Sequence, residues 1–197
     1  MKLSEFIEQK DYNNENIEGF HYYTEIIDSN FNNCDFSKAI FQGLDLNEVN
    51  LNKCNLANLE LTSHSYQNVT FESCTLVGIN FIDSYFENVT FKNCNLLYSN
   101  FNGTNHKNVV FDNCNIKEAS FNNIKWKNLK FSESDLTSSE FYNTQLKSLD
   151  LRTSTITNIK VTINNLKGLI VNIEQALELS LLLGINIKEW KYLKWVI

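Results

Sequence analysis

The apolar residues of this chain follow a period of five. From Phe31 to Val161, 26 of the 27 positions reached in steps of five are apolar or aromatic, and His106 is the exception. Twelve of the 14 phenylalanines stand on these positions, which chance placement would not produce. Five matches neither the 3.6-residue period of a helix nor the two-residue period of a strand, so the chain must turn once in every repeat.

A turn of about 90° in each repeat closes a square coil after four repeats, and parallel coils stack at roughly 4.8 Å. A single coil cannot bury its own core, whereas a stack of coils can. The pattern therefore predicts an all-β fold, a right-handed quadrilateral parallel β-helix, over residues 29–168. We expect an N-terminal cap segment in residues 1–28, and a capping helix and tail in residues 169–197.

A 20-residue period, which four repeats per coil require, is carried by the cysteines. All five fall 20 residues apart, at Cys34, Cys54, Cys74, Cys94 and Cys114. Parallel side chains in one column give poor disulfide geometry, and ligands in a line do not surround a metal ion. We therefore predict a column of buried, reduced thiols that act as small apolar side chains.

An asparagine column has the same spacing. Asn68, Asn88, Asn108 and Asn128 stand 20 residues apart, next to the apolar positions of one face. Because Asn adopts turn conformations readily and its amide can bond to the copy above, this column predicts a hydrogen-bonded ladder along one corner.

His106 occupies an inward position of the five-residue lattice. It indicates either a distorted face that meets a partner or a local bulge through which the imidazole reaches water or a backbone carbonyl. We favour the bulge, because the three histidines of the chain pair with no nucleophile or metal-ligand set.

Composition and motifs narrow the function. The net charge of −6 and the pI of about 5.1 disfavour direct nucleic-acid binding, since such proteins show a basic face. The first residues lack the pattern of a signal peptide, and the longest apolar run, 177–187, is too short to cross a bilayer. We expect a cytoplasmic protein with no membrane partner.

No nucleotide-binding, metalloprotease or hydrolase motif occurs in the chain. A convex rod also offers no cleft in which carboxylates could be tuned for catalysis. The sequence therefore predicts a binding surface rather than an enzyme, with no catalytic residues, cofactor, metal ion or small-molecule substrate.

The repeat resembles the pentapeptide-repeat family, whose motif is A(D/N)LXX. It occurs here as Cys34-Asp-Phe-Ser-Lys38, Cys54-Asn-Leu-Ala-Asn58 and Cys94-Asn-Leu-Leu-Tyr98. Residues 31–36 are similar to the first coil of the Qnr quinolone-resistance proteins, and residues 172–185 resemble the helix that closes their rods. The unbroken repeat leaves no room for projecting loops, so the likeness is to loopless members from Gram-positive bacteria and mycobacteria.

The closing segment also has the pattern of a capped helix. Asn172 is suited to begin the helix and Gly184 to end it. Ala176, Leu177, Leu181 and Leu182 form an apolar stripe between them.

The resemblance implies a homodimer joined through the C-terminal ends. It also implies a DNA-shaped rod that binds DNA gyrase or topoisomerase IV and protects the enzyme from fluoroquinolones, as a competitor of DNA or by displacing the drug. The candidate dimer seam consists of Leu177, Leu181, Leu182, Trp190, Leu193 and Trp195. The alternative is that these side chains pack on the open end of their own protomer.

The candidate partner-facing acids are Glu72, Asp83, Glu87, Asp112, Glu118 and Glu140, all at outward positions. Residues 29–160 carry 13 acids and 11 bases, which is less acidic than a duplex mimic requires. One corner column is basic, with Lys107, Lys127 and Lys147 one coil apart. An interaction scaffold or a toxin-immunity protein with another partner therefore remains the alternative function.

Overall fold

The computed structural model describes residues 1–188. They form a parallel β-solenoid of about eight coils with one short α-helix at the C-terminal end, which confirms the predicted fold. The strands are β1 (Phe6–Glu8), β2 (Asp11–Asn13), β3 (Asn16–Asn32), β4 (Asp35–Asn52), β5 (Ser65–Gln67), β6 (Thr70–Glu72), β7 (Tyr85–Lys92), β8 (Asn105–Asp112), β9 (Lys125–Ser132), β10 (Glu140–Phe141) and β11 (Lys160–Val161). A 3-10 turn (Ile163–Leu166) and the helix α1 (Ile173–Leu181) follow.

Coils stack in parallel with the predicted offset of 20 residues. Phe71 stands opposite Phe91, and Phe111 opposite Phe131. Two of the four faces carry extended strands, while the other two are joined by single-residue bridges such as Asn95 to Asn115. Each coil therefore contributes one layer of side chains to a continuous core.

Residues 1–28, predicted as a cap, are themselves a coil of the solenoid. β1 and β2 pair in parallel with β3, at an offset of 19 residues from Phe6 to Glu25, and the offset becomes 20 at Glu18 and Lys38. The buried residues Ile7 and Ile17 accordingly stand one position later than steps of five back from Phe31 would place them. The acidic N-terminal segment is thus part of the surface of the rod.

Stacked phenylalanines fill the centre of the rod. The ring centroid of Phe111 lies 4.8 Å from that of Phe91 and 4.9 Å from that of Phe131, with nearly parallel planes. The neighbouring column meets this one edge-on, with Phe121 at 5.8 Å and 87° from Phe111. Stacked and edge-on pairs each add about 0.5–1.5 kcal/mol to the effect of burial, so the core is stabilised along the rod as well as across it.

The cysteine column behaves as predicted. All five thiols are free and buried. Each sulfur lies against backbone carbonyls, as when the Cys94 Sγ–H donates to the carbonyl oxygen of Phe71 at 3.3 Å. These side chains occupy the narrow space beside the aromatic columns.

Left-handed residues turn the chain at the corners. Asn supplies 12 of the 24 non-glycine residues with positive φ, because its short amide tolerates this conformation better than other side chains do. The predicted ladder is present: Asn108 donates to Asn88 at 2.9 Å and Asn128 donates to Asn108 at 2.8 Å.

The bulge expected at His106 is wrong. His106 pairs in register with Phe86 and with Trp126, and its side chain is buried. The imidazole Nε2 lies 2.7 Å from the hydroxyl oxygen of Thr104, which replaces the water or carbonyl expected as its partner. Trp126, one coil further on, is only partly buried and donates its indole N–H to the carbonyl oxygen of Gln145 at 2.7 Å.

The C-terminal helix is capped as the sequence predicts. The Asn172 side chain accepts from the Gln175 N–H, and the Gln175 side chain accepts from the Asn172 N–H, both at 2.9 Å. The amide of Gln175 is buried and donates to the carbonyls of Leu151 and Ser154, each at 2.7 Å. Gly184, with φ of 71°, follows the helix. Because Gln175 faces the end of the rod, the predicted apolar stripe faces outward.

Candidate binding surface

The six candidate partner-facing acids do not share one face. Glu72 and Asp112 hold the same position in coils two apart, while the other four occupy four further positions around the coil. All six reach the surface, with Asp83 and Glu118 the more exposed. Their arrangement does not form a single acidic stripe.

Three of these acids bind a lysine in the next coil. The Nζ of Lys92 lies 3.2 Å from Glu72, the Nζ of Lys160 lies 3.0 Å from Glu140, and Lys107 pairs with Glu87. Hydrogen bonds from Lys107 and then Tyr85 lower the pKa of Glu87, and hydrogen bonds from Lys160 and then Asn122 lower that of Glu140. Among residues 1–188, Asp83, Asp112 and Glu118 form no ion pair.

The charge of the rod is divided along its axis. Residues 1–90 carry 14 acidic and four basic side chains, a net charge of −10. Residues 91–188 carry eight acidic and 11 basic side chains, a net charge of +3. The seven acids and two bases of residues 1–28 account for half of the acidic excess, and counting the two halves of the chain separately shows the rest. The acidic surface includes the N-terminal coil, which the sequence assigned to a cap.

An apolar surface covers the C-terminal end. Leu177, Leu181 and Leu182 of the predicted seam are 48%, 64% and 41% exposed, and Ile173 beside them is 77% exposed. A depression of about 250 Å³ lies between the helix and the last coil, lined by Leu166, Leu169, Val171, Ala176, Leu179, Ser180 and Leu183. Trp190, Leu193 and Trp195, the other predicted seam residues, lie outside the described residues.

Family models match most of the rod. A model of the pentapeptide repeat region matches residues 64–141 and 84–170, and a model of eight pentapeptide repeats matches residues 27–63. The chain belongs to the pentapeptide-repeat family. No curated protein sequence matches it.

Solved structures of other pentapeptide-repeat proteins are similar to this one. A trypsin-treated variant of QnrB1, a plasmid-mediated fluoroquinolone resistance protein, is 20% identical over 93% of this chain and 100% of that chain, with a TM-score of 0.43. HetL, involved in heterocyst differentiation regulation in the cyanobacterium Nostoc, is 13% identical over 80% of this chain and 87% of that chain, with a TM-score of 0.45.

One surface cluster of this pentapeptide-repeat protein contains a histidine, a carboxylate and a tyrosine. The Asp45 carboxylate accepts from the Tyr23 hydroxyl and from the Ser65 N–H at 2.8 Å, and the Nδ1 of His64 lies 3.7 Å away. The hydrogen bond to Asp45 raises the pKa of Tyr23 to about 12. Asp45 is thus occupied by a backbone N–H and a hydroxyl, which is the arrangement of a structural carboxylate.

Within residues 1–188 no group of three or more His, Cys, Asp or Glu side chains is placed to hold a metal ion. In the same part of the chain, no helix has the length and apolar character needed to span a bilayer. The described surface has charged sides, an apolar C-terminal end, and exposed aromatic side chains near the N-terminal end, at Phe20, Tyr22 and Tyr23.

Proposed function

We propose that this protein is a non-enzymatic, rod-shaped binding protein that acts on DNA gyrase or topoisomerase IV and protects the enzyme from fluoroquinolones. It acts either by occupying the site of the DNA duplex or by displacing the drug. The Qnr-like segments at residues 31–36 and 172–185 suggest this target.

The density of charge on the N-terminal half carries the proposal. Residues 1–90 make a little over four coils, which span about 20 Å at the spacing of paired strands. Their net charge of −10 is therefore roughly one negative charge per 2 Å of the axis, and duplex DNA carries one per about 1.7 Å. A protein surface built to receive a duplex would attract this half of the rod.

The supercoiling reaction of gyrase tests the target. With ciprofloxacin present, the purified protein should restore supercoiling of relaxed plasmid. The triple variant E8Q/E18Q/E25Q, which neutralises exposed acids of the N-terminal coils, should require a several-fold higher concentration, because electrostatic attraction is reduced.

The matched control is E133Q/E174Q/E178Q, which removes the same charge from the C-terminal half. It should act like the unmodified protein. If supercoiling is neither rescued nor inhibited at any protein concentration, gyrase is not the partner. The basic C-terminal half favours the second candidate in that case, a scaffold or immunity protein with another partner.

We also propose that two protomers join through the apolar C-terminal end, which would place the acidic halves at the outer ends of a longer rod. The stripe of Leu177, Leu181 and Leu182 is too exposed for a monomer of this size to leave uncovered without a purpose.

Light scattering measures the predicted assembly. The unmodified chain should have the mass of a dimer, and the double variant L177D/L181D that of a monomer, because carboxylates would be buried without partners in the seam. The control I40D changes a residue that is 61% exposed on the side of the rod and should remain dimeric. A dimer that persists in L177D/L181D would place the seam elsewhere.

A further inference from the structure

A basic face lies on the C-terminal half of the rod. Lys107, Lys127, Lys147 and Lys167 stand 20 residues apart in the sequence, and Lys125 and Lys130 stand on either side of Lys127. Lys167 follows the 3-10 turn, where Gly168 lies against Lys147. These six residues are here called the lysine face. All six are exposed, and the stretches 104–110, 124–130, 144–150 and 164–170 that form it contain one acidic residue, Asp150, which is paired with Arg152.

This arrangement of lysines destabilises the fold. Lys107 and Lys127 are directly paired across adjacent coils, and like charges in that position repel one another. Three lysines outside the face each meet an acid of an adjacent coil, as Lys117 meets Asp135 at 3.0 Å. Within residues 1–188, Lys107 is the only member of the lysine face with an ion pair, and its partner Glu87 lies at the edge of the face.

The backbone beneath the lysine face is held firmly. The next residue after Lys107 and after Lys127 is an asparagine of the amide ladder, and each amide donates to the one below at 2.9 and 2.8 Å. Between Lys125 and Lys127, the indole of Trp126 is fixed by its bond to Gln145. The backbone positions from which these lysine side chains extend are therefore fixed before a partner binds. Less conformational entropy is then lost on binding.

We propose that the lysine face binds a short acidic segment of a partner protein. The column from Lys107 to Lys147 spans about 10 Å, which an extended peptide of three or four residues covers. A long polyanion fits less well, because a duplex lying along the rod would meet the N-terminal half with its net charge of −10. The face also contains no arginine, the residue best suited to bind phosphate groups. The one arginine of the chain, Arg152, lies outside the face and is bound to Asp150 at 2.7 Å.

Fluorescence anisotropy with the full chain tests this proposal independently of any topoisomerase. The probes are a labelled glutamate-rich decapeptide, the same peptide with glutamine in place of glutamate, and a labelled 20-base-pair duplex. We expect the glutamate peptide to bind, the glutamine peptide not to bind, and the glutamate peptide to weaken as salt is raised. The double variant K127E/K147E should lower its affinity about tenfold or more.

The control variant K10E/K38E makes the same change in net charge on the N-terminal half, at two exposed lysines, and should lower the affinity less than about twofold. An equal loss in both variants would mean that only net charge matters, and would overturn the proposal. Absence of peptide binding would overturn it too. Tighter binding of the duplex than of the peptide, lost in K127E/K147E, would assign the face to nucleic acid instead.

Discussion

Replacing Phe111 with alanine should lower the free energy of unfolding by about 3–5 kcal/mol. The Phe111 ring is fully buried, stacks on Phe91 and Phe131, and meets Phe101 and Phe121 edge-on. Its removal leaves a cavity in the middle of the rod, which the neighbouring coils cannot close because their backbones are fixed by pairing on both sides. Denaturant unfolding followed by circular dichroism measures the change.

Tyr142→Ala is the matched control, since it removes an aromatic ring that is 42% exposed. It should change stability by less than about 0.5 kcal/mol. A loss for F111A no larger than that of Y142A would mean that the aromatic columns do not hold the coils together.

The five-residue period was sufficient to predict the fold from Phe31 onward. Every repeat contains five residues. Once the inward residue of a repeat is known, the corner, the face and the coil to which its neighbours belong are known too. The 20-residue spacing of the cysteines then predicted a column of buried thiols, and the structure contains that column. Repetition makes such a fold predictable, because a single rule applies to each coil.

The first coil was missed because it breaks the rule by one residue. Steps of five back from Phe31 reach Ile26 and His21, which are buried, and then Asn16, which is exposed. The true inward residue is Ile17, since the first coil advances by 19 residues. Because one residue is missing from this coil, every earlier inward side chain is displaced by one position from the five-residue series. The period is therefore no longer visible in the sequence, although the solenoid continues.

The side of the C-terminal helix that packs on the rod could not be predicted from the sequence. Its leucine stripe and its cap were both visible, yet the side that packs on the rod is set by Gln175 and Leu179. The buried amide of Gln175 donates to the Ser154 carbonyl and to the Leu151 carbonyl, which also accepts from the Ser154 N–H. Which side of a helix meets a given end depends on such contacts, and they have no periodic signature.

The charge of the candidate surface was predictable only in part. Outward positions were identified correctly from the period, but the pairing of Glu72, Glu87 and Glu140 with lysines depends on which residues stand 20 positions later. A 20-residue comparison of charges would have shown these pairs. Within the strands that the structure describes, the same comparison shows two like-charged pairs, Glu25 with Asp45 and Lys107 with Lys127, and the second of these lies in the lysine face.

Stability should fall as the pH is lowered from 7 to 5, and His106 should account for most of the fall. Burial among phenylalanines lowers the pKa of His106 from 6.5 to about 3. The Thr104 hydroxyl donates to the Phe101 carbonyl at 2.6 Å, so it accepts from the Nε2–H of His106 and leaves Nδ1 as a buried acceptor without a partner. A proton added to Nδ1 would create a buried charge and an unpaired donor.

Below about pH 6.5 the unfolded chain therefore takes up a proton that the folded chain does not. The stability contributed by neutral His106 is complete above that pH and is lost progressively as the pH falls toward 3. By pH 5 the loss is about 2 kcal/mol.

His106→Phe, which extends the ring column from Phe86, should remove most of this dependence. At pH 7 the variant should also be about 1 kcal/mol more stable, because no unpaired nitrogen is then buried. Unfolding midpoints in urea at pH 7 and pH 5 test both effects. His64→Gln changes a partly buried histidine beside Asp45. Burial lowers the pKa of His64 but the charge of Asp45 opposes that shift, so this variant should alter the difference between the two pH values by a smaller amount. If H106F loses as much stability between pH 7 and pH 5 as the unmodified chain does, the proton is taken up elsewhere, with buried His21 the next group to change.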